Sequence, residues 1–149
     1  MTVFIDTAVV MYAGGSEHQM RDPSRRVLKR VSAGELDGVI SAEVIQEILH
    51  RFMSIRRPDM GRDQAIEAMD IFAPVLPITH ALMRRVPELA VKYPSLDARD
   101  LVHVATCLHE GIAEIISPDR AFDQVHELRR IDLATFGTDP STDPAGKPA

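Results

Sequence analysis

Brief runs rich in β-branched and aliphatic residues alternate with longer segments of helical period, and that alternation limits the folds open to this chain. "TVFID" (residues 2–6), "DGVIS" (37–41), "PVLPI" (74–78), "AEIISPD" (113–119) and "RRIDLATF" (129–136) read as strands. Two prolines confine the third to a sheet edge or a very short strand. The helical "TAVVMYA" follows the first strand at once, and Ser24 is placed to cap "RRVLKRVSAG", which Gly34 stops. Ser41 caps "AEVIQEILHRFMSIRR", where Val44, Ile45, Ile48, Phe52 and Ile55 keep the 3.6-residue period. Pro58 to Gly61 should break the chain before a helix over 62–72. Thr79 opens another that kinks near Pro87, and Gly111 ends "SLDARDLVHVATCLHEG". Strands and helices alternating in such short pieces predict an α/β class protein, a three-layer α/β/α sandwich on a mainly parallel sheet. Residues 1–137 form the expected domain. "TDPSTDPAGKPA", residues 138–149, has no core-forming residue and reads as a disordered polar tail.

Composition narrows the function classes. Apolar residues make up 45% of the 149, enough for a real core, but Trp is absent, so Val, Ile, Leu, Met and Ala must build it. A formal charge of −5 does not suit a general nucleic-acid or membrane binder. The single cysteine, Cys107, rules out an internal disulfide and a Cys-based zinc site. No run approaches the length of a membrane span, and "MTVFIDT" lacks the basic start of a signal peptide, so the expectation is a soluble cytoplasmic protein.

Functional groups in parallel sheets gather just beyond the carboxyl ends of strands. Asp6 closes the first strand. Glu43 and Glu47 lie in the helix after the second, Asp97 and Asp100 open the helix before the fourth, and Asp119 follows Ser117 by two residues. All can share one rim. Asp6 also suits an N-cap, Glu43 and Asp97 the positive ends of their helices, and Asp119 a turn. Glu47 and Asp100 resist such readings. Glu47 is a turn too deep, and Asp100 flanks the apolar stripe of Leu101, Val104, Ala105 and Leu108, where an unpaired carboxylate is costly. Only Lys92 among lysines lies between Glu43 and Ser117. Crowded carboxylates without a cation repel one another, and a hard divalent ion resolves the conflict, so the expected site is an acid cluster holding Mg²⁺ or Mn²⁺.

"VFIDT", "ISAEVIQEILHRF", "LDARDLVHVATCLHEGI" and "IISPDRAFD" resemble, in order and spacing, the PIN-domain ribonucleases, most closely the VapC-like toxins of bacterial type II toxin–antitoxin systems. The resemblance runs from Met1 to about Phe136. It implies a compact α/β/α fold and a Mg²⁺- or Mn²⁺-dependent endoribonuclease. Its acids fall on Asp6, Glu47 (rather than Glu43), Asp100 and Asp119, which would be both catalytic and metal-binding, with Thr7 and Ser117 as supporting hydroxyls. Asp97 and Asp123 are spare acids. Arg120 is the best-placed residue to hold an RNA backbone, with Arg25 and Arg26 behind it, while His103 reads better as a satisfied groove histidine. The resemblance also implies a small antitoxin partner, packing into a hydrophobic groove, and a homodimer. For the helices carrying Met53, Met60, Met69 and Met83, such a groove and plain core packing are equally good readings.

Rival readings fare worse. An aspartyl-phosphate hydrolase needs a second acid where Ala8 stands, and a phosphoreceiver domain needs a late lysine, absent between Lys92 and the tail. A housekeeping RNA-processing nuclease of the same fold, or a non-catalytic interaction module whose acids are only caps and turns, remain as alternatives.

Overall fold

The computed structural model describes residues 1–138; the tail expected over 138–149 lies, beyond its first residue, outside them. Four short strands, β1 (Val3–Ile5), β2 (Gly38–Val39), β3 (Glu114–Ser117) and β4 (Arg129–Asp132), pair in the order β2-β1-β3-β4, all parallel. Seven α-helices accompany them in a three-layer α/β/α arrangement: α1 (Thr7–Gly14), α2 (Arg21–Ser32), α3 (Ala42–Ser54), α4 (Pro58–Ile71), α5 (His80–Met83), α6 (Val86–Lys92) and α7 (Ala98–Glu110). The order puts β1 in the middle, with Val3, Phe4 and Ile5 fully buried, and its neighbour β3 is buried along its whole length. Parallel strands covered on both faces read as continuous apolar runs, as "VFI" does.

Local signals account for most element ends. Ser41 accepts the Glu43 N–H at 3.2 Å, Thr79 the Leu82 N–H at 3.2 Å, and Asp97 the Asp100 N–H at 2.9 Å. Each satisfies an orphan donor of a first turn. Gly34 and Gly111 adopt positive φ (73° and 69°) just past their helices, a conformation a side chain would oppose.

Four expectations need correction. Ser24 is not a cap: α2 starts at Arg21, leaving Ser24 buried inside it, because Pro23 lies in the first turn, where no intrahelical donor is needed. Pro58 likewise begins α4 instead of breaking the chain ahead of it. Gly61 then lets α4 press on α3, since a Cβ there would stand 2.9 Å from Phe52 Cβ. "PVLPI" forms no strand; a single parallel bridge joins Leu76 to Ser41, with Leu76 N–H donating to Ile40 O at 2.9 Å. The helix after Thr79 does not merely kink but divides into α5 and α6 ahead of Pro87. Among the described residues no helix is long and apolar enough to cross a membrane.

Candidate active site

Asp6 leaves the central strand where β1 gives way to α1. It stands at the N-cap position, yet its side chain caps nothing. Oδ2 instead accepts a 2.6 Å hydrogen bond from the hydroxyl of Ser117, at the end of the neighbouring strand. The same Ser117 oxygen accepts the Asp119 N–H at 2.9 Å, and Asp119 Oδ1 in turn accepts the Ala121 N–H at 2.9 Å. Ser117 thereby ties the side chain of Asp6 to the backbone of Asp119. Burial raises the pKa of Asp6, while His103 and the Ser117 hydroxyl act in the opposite sense.

His103 is fully buried on α7, its ring tilted against Phe4 at 5.2 Å between centroids. Nε2 lies 2.7 Å from Glu47 Oε1, 3.3 Å from Thr7 Oγ1 and 3.9 Å from Asp6 Oδ1. Nδ1 has no hydrogen-bond partner among the described residues. Because a carboxylate only accepts, Nε2 carries the proton directed at Glu47. Burial opposes charge on His103, but the bond to Glu47 and the charge of Asp6 outweigh it and raise the pKa. His103, expected to be a satisfied surface or groove histidine, is fully buried and bridges helices α7, α3 and α1. Nothing in the sequence pairs it with Glu47, 56 residues away; the only hint was its position one turn beyond Asp100.

Asp100 sits half-buried in the first turn of α7, and its pKa is raised to about 7. Burial contributes most, followed by the charges of Asp97 and Asp6, with Asp119 adding to them. Glu43, also raised, chiefly by burial, feels Glu47 and Asp97. The structure therefore brings Asp6, Glu47, Asp100 and Asp119 to one rim, with Asp119 exposed at its edge. Thr7 faces His103 rather than an acid. Arg120 is exposed beside Asp119, whereas Arg25 and Arg26 spend their Nε donors on the carbonyls of Ala13 and Phe136, 3.0 and 3.4 Å away. Asp123 pairs with Arg130.

Among the described residues no group of three or more His, Cys, Asp or Glu side chains is arranged to hold a metal ion as it stands. His103 Nε2 stands between Glu47 and Asp6, 2.7 and 3.9 Å from their carboxylate oxygens. The donor chemistry nevertheless suits a hard divalent ion: carboxylate oxygens in a half-buried rim, with proton affinities raised by desolvation and mutual repulsion.

Comparison with known proteins shows the family and the fold. The family model described as PIN domain matches residues 3–128. Ribonuclease VapC13 of Mycobacterium tuberculosis is 30% identical over 129 residues, covering 87% of this chain and 98% of its own. Ribonuclease VapC23 of the same species is 33% identical over 113 residues, covering 76% of this chain and 89% of its own. The fold is similar to a chain in the crystal structure of VapBC2 from Rickettsia felis bound to a DNA fragment from their promoter. The TM-score is 0.68 at 13% identity, over 89% of this chain and 98% of that one.

Proposed function

Since the chain belongs to the PIN domain family, we propose that it is a Mg²⁺- or Mn²⁺-dependent endoribonuclease, the toxin of a type II toxin–antitoxin pair acting in the cytoplasm. The observation that carries this reading is the joining of Asp6 and Asp119 through one serine hydroxyl, with Asp100 and Glu47 facing the same rim. Asp6, Glu47, Asp100 and Asp119 would hold the ion. When bound, it supplies Lewis acidity toward a phosphodiester and a water of lowered pKa.

The chain's own groups prepare the rest. The Ser117 hydroxyl orients Asp6, and the bonds at Asp119 hold the loop that carries it. His103 keeps Glu47 turned inward, with Thr7 against the same nitrogen. Arg120, exposed beside Asp119, meets the RNA backbone, which an acidic rim would otherwise repel. An antitoxin would find apolar surface on α4, where Ile66 and Met69 are exposed, as Met53 is on α3 and Met83 on α5; Met60 packs against the core instead. A cavity of about 430 Å³ between α1, α2 and α4 holds Gln64, buried with neither amide atom hydrogen-bonded among the described residues. A homodimer remains part of the proposal through the family.

RNA cleavage in Mg²⁺ or Mn²⁺ is the test, comparing the wild type with Asp6→Asn and Asp100→Asn. Both substitutions should abolish cleavage and leave the fold intact. Wild-type cleavage by Asp100→Asn would overturn the mechanism. A non-catalytic interaction module is separated by melting: its melting temperature would not rise with Mn²⁺, whereas a metal-binding fold is stabilised in proportion to occupancy.

A further inference from the structure

We propose that Arg130 is a positioning residue for the acid rim: from strand β4 it braces the carbonyl of Ser117, and so sets Asp6 and Asp119. The proposal rests on the nuclease reading above, but its geometry is independent of the metal. Arg130 lies on the edge strand, with a side chain only 9% exposed. Nε donates to Asp123 Oδ1 at 2.9 Å and Nη2 to Asp123 Oδ2 at 3.4 Å, a two-pronged grip on one carboxylate. Nη1 donates to the Ser117 carbonyl at 3.0 Å and lies 3.5 Å from Asp132 Oδ1.

The carboxylate contacts alone would mean little, because Asp123 is half-exposed and such surface pairs contribute little to stability. The inward donor gives them a purpose. Ser117 is the last residue of β3, and Pro118 follows it without an N–H. Its hydroxyl is committed twice, donating to Asp6 and accepting from Asp119. Its carbonyl is the remaining handle, and rotation there would swing the hydroxyl away from Asp6. The rigid guanidinium, already oriented by Asp123 and Asp132, prevents that rotation. Asp123 lies in the 3-10 turn Arg120–Gln124 that follows Asp119, so one side chain clamps the loop at both ends. Lysine offers a single point of charge and cannot serve the Asp123 fork and the Ser117 carbonyl together.

The full-length chain is tested as Arg130→Met and Arg130→Lys, with two readouts. One is kcat and KM on an RNA that the wild type cleaves. The other is backbone hydrogen exchange over residues 119–122 in the absence of metal. Misplacement of reacting groups by a fraction of an ångström to 1 Å costs up to about a hundredfold in rate. Arg130→Met is therefore expected to lose roughly ten- to a hundredfold in kcat, with KM within about threefold of wild type. Exchange at 119–122 should quicken about tenfold or more while the rest of the sheet stays protected. Arg130→Lys should fall between the two. Wild-type kcat and exchange in a folded Arg130→Met protein would overturn the proposal, as would a raised KM at unchanged kcat, which marks an RNA contact. If Arg130→Met does not fold, Asp123→Asn replaces it. A several-fold loss of kcat with quickened exchange then supports the brace, and wild-type values overturn it. A wild type that cleaves no RNA sinks the nuclease reading, while the exchange measurement still decides the brace.

Discussion

Replacing Asp100 with asparagine keeps the shape of the side chain and removes its charge, so it isolates what that charge costs the metal-free fold. Asp100 binds its proton more tightly in the folded chain, with a pKa of about 7 against an ordinary 3.8. Between these values the folded state holds more protons than the unfolded one, so stability falls as pH rises from about 4 to about 7. Above that range the whole penalty is present; below about 4 the carboxyl is neutral in both states and the penalty disappears. Unscreened, the shift would correspond to about 4 kcal/mol. Asp100 is only half-buried, and solvent screening reduces this to on the order of 1–2 kcal/mol. For a domain of this size that is roughly 3–6 °C in melting temperature. Melting in EDTA at pH 8 should thus show Asp100→Asn more stable than wild type by that margin, with the curves converging near pH 4. Adding Mn²⁺ at pH 8 should raise the wild type and leave the variant almost unmoved. An Asp100→Asn protein no more stable than wild type at pH 8 without metal would refute the idea that this carboxylate is held at a cost for its function.

Two further substitutions probe the frame around the rim. Gly61→Ala drives a methyl to 2.9 Å from Phe52 Cβ and should destabilise the α3–α4 packing by about 1–3 kcal/mol, read as a lower urea midpoint at unchanged slope. His103→Leu preserves bulk but takes the hydrogen-bond donor from Glu47 and the nearby imidazole from Asp6; a loss on the order of 2 kcal/mol is expected. Equal urea midpoints for His103→Leu and wild type would show that the bridge contributes nothing to the fold.

Much of the architecture was legible because its signals are local. Ser41, Thr79 and Asp97 cap helices within three residues of themselves, and Gly111 ends one by its own backbone conformation. Glu47 and Asp100 stood out for a different reason: a carboxylate beside an apolar helix stripe is expensive, so its presence asks for an explanation, whereas Asp6 read equally well as an N-cap. Ser24 and Pro58 misled because a cap residue or a proline signals a boundary without saying on which side the helix lies. "PVLPI" has strand-like residues but too few free donors to build a ladder, and it formed one bridge. His103 and Arg130 were out of reach for the opposite reason. Each acts across the fold, His103 on Glu47 from another helix and Arg130 on a carbonyl of the adjoining strand, and neither contact leaves a trace in periodicity.

The bond between Ser117 and Asp6 spans 111 positions of the chain and joins two adjacent strands at the middle of the sheet. Contacts of such long sequence separation close late, after the intervening chain has been made and ordered. On the ribosome, Asp6 is made 111 residues ahead of the hydroxyl that orients it. A chain interrupted anywhere before β3 carries the first acid of the rim without the serine that orients it. The topology thus delays assembly of the rim until β3 has been made.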